Sequence, residues 1–291
     1  MNNLGESYEQ ILNVLRVLDS KSNFLNQIRV PKLSDIELIS LALTAEYLSI
    51  DSEHQLFRIL PDNLSDKIER TVYNRRKRRL FGFIEILRSK LASILVPYEE
   101  YLIVDSMPLE VCKLSRSSRS AICKETFESA PDKGYCASQG LSYYGYKLHA
   151  VCSIGGVFKS FDLTKASVHD IHFLKDIKNN HENCTIIGDK AYLSVDYQLD
   201  LFNSNNIRLQ VPMRNNQKDY KPQYYPFKKA RKRIETLFSQ LCDQFMIRRN
   251  YSKSFQGYKT RLLTKITALT VIQYLNHLAN RKLNNIKISI T

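Results

Sequence analysis

At 291 residues, 43% hydrophobic and 25% charged, the chain is long enough to bury a sizeable core and has the balance of a soluble globular protein. No apolar run reaches the roughly 18–20 residues a membrane span needs, and the opening MNNLGESYEQ lacks the basic-then-apolar pattern of a secretory leader. Six scattered cysteines (Cys112, Cys123, Cys136, Cys152, Cys184, Cys242) form no C-x-x-C pair, which excludes a structural zinc module and predicts reduced thiols in a cytoplasmic protein.

The net charge of +14 divides unevenly, +2 over residues 1–98, −3 over 99–205 and +15 over 206–291. A polyanionic partner would neutralise the last third, and nucleic acid is the commonest one. A basic surface kept for solubility is the other reading.

Residues 1–98 read as helical. Ile11, Leu12, Leu15 and Leu18 recur at helical spacing, and Ser34-Asp35-Ile36-Glu37 fits a capping box ahead of LISLALTAEYL. A helical stretch from about Ser65 to Leu95, interrupted at Gly82, carries Arg75, Arg76, Lys77, Arg78 and Arg79 in succession. This basic run fits a helix-turn-helix-like DNA-binding module, and equally a plain bundle with a solvated face.

Beyond Pro97 the texture changes. YLIVDS reads as a strand, and YKLHAVCS and VFKSFDL as a hairpin about Ile154-Gly155-Gly156. The polar stretch from Ser115 to Gly140 reads as a long loop. A helix from His169-Asp170, the strand TIIGD, the helix SVDYQLDLFNS and the strand IRLQVP follow, then a Tyr/Pro/Lys-rich loop from Met213 to Tyr225. Two helices, about Phe227–Phe245 and Gly257–Arg281, close the chain. This order implies a mixed sheet with helices on its faces. The predicted division is residues 1–98, a helical DNA-binding region, and residues 99–291, an α/β catalytic domain with basic C-terminal helices.

Asp105 ends the apolar run Leu102-Ile103-Val104, and Asp189 follows Ile186-Ile187-Gly188. Both stand where a buried strand reaches the sheet edge, the usual place for ligands in α/β sheets. An Asp there also caps turns. In KKARKRIETLFSQLCDQF, Ala230, Ile234, Leu237, Phe238, Leu241 and Phe245 form an apolar stripe with Glu235 at its border. A border Glu paired with Arg231 is the plainer reading of that residue. Three carboxylates converging at a sheet edge would instead bind Mg²⁺, which takes oxygen ligands. The acidic site would then need cations to hold a polyanion, and Lys228, Lys229, Arg231, Lys232 and Arg233 precede Glu235 while Arg248 and Arg249 follow it. Five cations in the first turns of a helix oppose its dipole, which favours an external anion.

With V-D-S, G-D-K-A-Y and R-K-R-I-E-T-L-F in this order, joined by G-Y-K-L-H and S-V-H-D, residues 99 to 281 resemble the catalytic domain of DDE transposases from bacterial insertion sequences. The N-terminal PKLSDIELISLALTAEYL resembles the leading helical segment of one branch. The resemblance implies an RNase H-like fold and a triad of Asp105, Asp189 and Glu235. It further implies two Mg²⁺ ions, with Mn²⁺ substituting, and cleavage at element ends followed by strand transfer. Double-stranded DNA, as terminal inverted repeats and as target, is the implied partner, on an assembly of at least two subunits associated with the nucleoid. A Tyr-x2-Arg-x3-Glu-x6-Lys/Arg signature common among relatives is half present: Arg231 and Glu235 match, Lys228 and Cys242 do not, so its second-strand role does not transfer. Two rivals are a nuclease without strand transfer and an inactive DNA-binding descendant, the latter expected to lack a triad carboxylate.

Overall fold

The Ser34-Asp35-Ile36-Glu37 signal is realised as a complete capping box: Ser34 Oγ accepts from the Glu37 N–H at 3.3 Å, and the Glu37 carboxylate accepts from the Ser34 N–H at 2.7 Å. The computed structural model describes residues 4–137, 139–214, 216 and 220–286. The chain divides into two compact units, residues 1–95 with 240–291, and residues 96–239.

The first unit contains α1 (Leu4–Leu18), α2 (Asp35–Tyr47), α3 (Glu53–Ile59), α4 (Asp62–Ser65), α5 (Arg70–Arg79) and α6 (Phe81–Leu95). Every residue of α2 except Glu37 is buried, so this helix is enclosed by its neighbours rather than packed through one stripe. Part of the enclosure comes from the closing helix (Phe255–Leu278), which packs on α2 and α6. The expected division at residue 98 leaves the closing helices with the catalytic domain, whereas the last of them packs with the N-terminal helices. The stretch from Ser65 to Leu95 is two helices, and they break at Leu80, not at Gly82. Leu80 is fully buried, while nothing lies within 4 Å of where a Cβ on Gly82 would stand, so core packing sets the break.

The second unit holds β1 (Tyr101–Cys112), β2 (Asp132–Cys136), β3 (Leu141–Ser153), β4 (Phe158–Lys165), α7 (Leu174–Asn180), β5 (Thr185–Ile187), α8 (Val195–Asn205), β6 (Arg208–Gln210) and most of α9 (Tyr225–Asp243). The closing helix is therefore α10. The sheet runs β2-β3-β1-β5-β6, with β4 also on β3. Pairs β1/β3, β2/β3 and β3/β4 are antiparallel; β1/β5 and β5/β6 are parallel. Leu102, Ile103 and Val104 are all buried, as a strand covered on both faces requires. One face packs on Phe173, Leu174, Ile177 and Leu201 through Leu102, Val104 and Ile186. The fold is the expected RNase H-like mixed sheet with flanking helices, preceded by a helical region.

Two expectations are corrected. The stretch between Ser115 and Gly140 contains β2, a polar strand without apolar alternation that pairs with β3 through its backbone. Gly134 lets β2 also lie close against the chain just past β4: a Cβ there would meet the Ala166 carbonyl oxygen at 2.5 Å. The loop expected from Met213 to Tyr225 ends one residue earlier, since Tyr225 opens α9. Within it Asn215, Gln217, Lys218 and Asp219 lie outside the described residues, as do residues 287–291 of the expected catalytic domain. Among the described residues no helix is long and apolar enough to cross a membrane.

Candidate active site

Parallel pairing of β1 and β5 sets Ile103 opposite Ile187. Asp105 lies two residues past Ile103, inside β1, which runs on to Cys112 instead of ending at Asp105 as expected; Asp189 lies two past Ile187, just beyond β5, so the two residues stand on neighbouring parallel strands at the same level of the sheet. Between Ile187 and Asp189 the chain passes through Gly188, where a Cβ would stand 3.1 Å from Val104 Cγ1 and 3.2 Å from Tyr192 Cδ2. A side chain there would crowd the Val104 and Tyr192 side chains, which would have to give way slightly.

Each Asp also caps its own backbone. Asp105 Oδ1 accepts from the Ser106 N–H at 2.8 Å, and Asp189 Oδ1 accepts from the Ala191 N–H at 2.8 Å, opening a 3-10 turn at Lys190–Tyr192. Capping occupies one oxygen of each carboxylate. Neither carboxylate forms an ion pair among the described residues.

Glu235 is exposed on α9, beside the buried Ile234, Leu237, Phe238 and Leu241, at the border position expected from its sequence. Its charge is felt at Asp105. Burial pushes the Asp105 pKa up from 3.8 to about 7; the Ser106 N–H and Arg231 oppose that rise, and the negative charges of Asp189 and Glu235 add to it. The three carboxylates therefore share one electrostatic environment, moderated by Arg231, whose buried Nε has no hydrogen-bond partner.

Among the described residues no three His, Cys, Asp or Glu side chains close into a ready-made metal cage. In charge and donor type the carboxylates nonetheless suit a hard divalent cation: all ligand atoms are oxygen, and like charges raise the cost of ionising Asp105. The other titratable groups nearby have local roles. His149 is buried, hydrogen-bonds Thr164 Oγ1 at 2.8 Å and stacks on Phe173, and burial holds its pKa down at about 4. His169 caps the turn at Asp170–Phe173. Tyr192 is fully buried, while Lys190 is exposed.

The basic candidates sort by exposure. Lys228, Lys229, Lys232 and Arg233 are exposed along α9 and Arg231 is half-buried; Arg248 and Arg249 are exposed. On α5, Arg75 and Arg79 are exposed and Arg78 is half-buried. Arg76 and Lys77 correct the expectation of five DNA-facing residues. Arg76 is buried against Asp35 and donates to the Leu33 carbonyl at 2.8 Å, and Lys77 pairs with Glu53 at 2.7 Å. Both are internal ties of the first unit.

Sequence reading missed a cluster of rings at the start of α9. Tyr101 lies 6.0 Å from Phe227, and Tyr224 lies 5.3 Å from Phe227, centroid to centroid. The signal was the density of Tyr and Phe beside Lys228 and Lys229, hidden in a stretch read as loop.

The sequence profile of the family described as Transposase DDE domain matches residues 99–271, more than half of the chain and the whole stretch from β1 through most of α10. No match is found among the curated proteins or among the solved structures. The profile spans Asp105, Asp189 and the α9 glutamate. The chain belongs to the Transposase DDE domain family.

Proposed function

We propose that this transposase cuts DNA at the ends of an insertion sequence and joins the released ends to target DNA, in a reaction that depends on divalent metal and uses Asp105, Asp189 and Glu235. One observation carries the reading: Asp105, within β1, and Asp189, just past β5, stand at matched register on adjacent parallel strands, and the charge of Glu235 is felt at Asp105. In this reading the three carboxylates hold Mg²⁺, or Mn²⁺ in its place. When bound, the cations neutralise phosphate charge and polarise its oxygens.

The chain's own groups do the rest. Asp105 and Asp189 are oriented by their capping bonds, which fix the direction of the remaining oxygens. Exposed cations on α9 hold the phosphodiester backbone beside carboxylates that would otherwise repel it. Water attacks phosphorus at the element end and the 3′ oxygen leaves as a hydroxyl. That hydroxyl then attacks a target phosphorus in line, displacing the target strand's own 3′ oxygen. Positioning and charge stabilisation supply most of the rate. Residues 1–98 contribute further DNA contact through Arg75, Arg78 and Arg79, with Arg248 and Arg249 added from the closing region. Two element ends call for at least two subunits. The DNA substrate is expected in the bacterial cytoplasm.

The test compares Asp105→Asn, Asp189→Asn and Glu235→Gln with wild type, using labelled terminal-repeat DNA and a plasmid target in Mg²⁺. Each variant is expected to bind the end within about threefold of wild type and to lose cleavage and joining by at least about 100-fold. Near-normal cleavage by any variant removes that residue from the triad. Cleavage by wild type without joined product, even when a 3′-hydroxyl end is supplied, identifies a nuclease instead.

A further inference from the structure

We propose that the second unit carries a binding pocket for an unpaired nucleobase and its flanking phosphates, formed between the start of α9 and the sheet. The inference rests on the DNA-processing function proposed above and adds a site for single-stranded DNA to it. The cavity measures about 700 Å³, within the range of pockets that enclose small organic ligands. Tyr101, Tyr224 and Phe227 form its aromatic wall, and Ile154 and Ile187 extend the apolar surface. Lys229, Lys232 and Arg233 line the same cavity, and among the described residues no acidic one does.

Two features point to a nucleotide rather than an internal packing defect. The first is clustering: Tyr224, 66% accessible, and Ile154, 39% accessible, fall together with Tyr101, Phe227 and Ile187 on one cavity instead of standing singly. The second is charge. Among the described residues none of the three cations forms an ion pair, and they sit along α9 at positions 229, 232 and 233, so that one helical turn presents all three. Rings that accept any base face, beside cations that track a phosphate backbone, are the chemistry of single-strand binding. A duplex keeps its bases stacked and offers phosphates alone, so it would leave the rings uncovered.

Glu235 lies on the same helix, one residue before Thr236, which also lines the cavity. A strand anchored in the pocket would therefore be held on the element that carries a triad carboxylate. This gives the cations of α9 a more specific task than general attraction of DNA.

The experiment uses the full chain with fluorescein-labelled (dT)12 and with a blunt duplex of matched length, measured by anisotropy. The chain has no tryptophan, so Tyr224→Trp introduces a single reporter. Tyr224→Ala is expected to weaken (dT)12 binding at least about 10-fold while changing duplex binding less than about twofold. Tyr224→Trp is expected to keep wild-type affinity, its emission quenched by (dT)12 and not by the duplex. Because Tyr224 is mostly exposed, neither change threatens folding, which circular dichroism checks. Unchanged (dT)12 affinity in Tyr224→Ala, or a Tyr224→Trp signal indifferent to (dT)12, overturns the pocket. So does wild-type binding of the duplex with no binding of (dT)12, and in that case the transposase reading stands. Failure of wild type to bind either DNA overturns both.

Discussion

Asp105 is held in a state that an isolated carboxylate would avoid. Its pKa, raised from 3.8 to about 7 by burial first and by Asp189 and Glu235 after it, sets a definite dependence of stability on pH. Between about pH 4 and 7 Asp105 keeps in the folded chain a proton that it has released in the unfolded chain, so its own contribution to stability falls as pH rises through this window, and the penalty is complete above it. In chelator at pH 8, Asp105→Asn is expected to be more stable than wild type by on the order of 1–3 kcal/mol, with the gap nearly closed at pH 4. Urea unfolding at the two pH values reads this directly. Adding Mg²⁺ at pH 8 should raise wild-type stability and leave the variant largely unmoved, because only the former offers the full set of charges for preferential binding to the folded state. A stability gap between wild type and Asp105→Asn that stays the same at pH 4 and pH 8 in chelator would show that Asp105 is not a desolvated carboxylate.

At the scale of the element, α5 divides its basic run between two tasks. Five consecutive cations on a helix cannot share a face, since successive residues are about 100° apart. Arg76 and Lys77 turn inward to Asp35 and Glu53, and Arg75 and Arg79, four positions apart, turn outward together. Asp35 is fully buried and also accepts from the Phe24 and Leu25 N–H groups, so removing Arg76 strands a buried charge. Arg76→Ala is expected to cost about 3–5 kcal/mol of stability. The double variant Arg75→Ala, Arg79→Ala is expected to leave the melting temperature within about 2 °C, because exposed substitutions change little. The same double variant should weaken DNA binding several-fold. Melting and gel-shift titration of the two variants separate the roles, and loss of stability in the exposed pair would contradict the division.

For the whole molecule, the +15 of residues 206–291 cannot be treated as a detachable basic tail. Most of the segment after residue 245 is α10, whose Leu262, Leu263, Ile266, Leu269 and Ile272 are buried. Lys265, also buried, is tied to Glu46 and donates to the Phe245 carbonyl at 2.6 Å. Deleting residues 246–291 is therefore expected to unfold the first unit, seen as loss of helical circular dichroism. The electrostatic question is better put by Arg248→Ala with Arg249→Ala, both exposed. If each arginine neutralises one phosphate, the slope of log K against log salt should flatten by about 0.9 for each arginine removed. A folded deletion protein, or an unchanged slope in the double variant, would overturn the respective expectation.

Local signals were legible in the sequence because they act over a few residues. The Ser34–Glu37 box, the hairpin at Gly155-Gly156, the apolar runs that precede Asp105 and Asp189, and the border position of Glu235 all follow from spacing alone, whereas β1 runs on past Asp105 to Cys112 because β3 pairs with it there. Together they determined the fold class and nominated the three carboxylates. What spacing could not reveal is set by partners far along the chain. Arg76 meets Asp35 across 41 residues and Lys265 meets Glu46 across 219, so which cations are spent inside the protein is decided only when helices dock. The polar strand β2 exists because β3 offers it a backbone edge, and the break at Leu80 because a core receives that side chain. The same holds for the ring-lined pocket, whose wall joins Tyr101 to Phe227. A charge or a ring has one composition in every context; its solvation, and hence its task, belongs to the tertiary structure, because burial and neighbouring charge are properties of the packed whole.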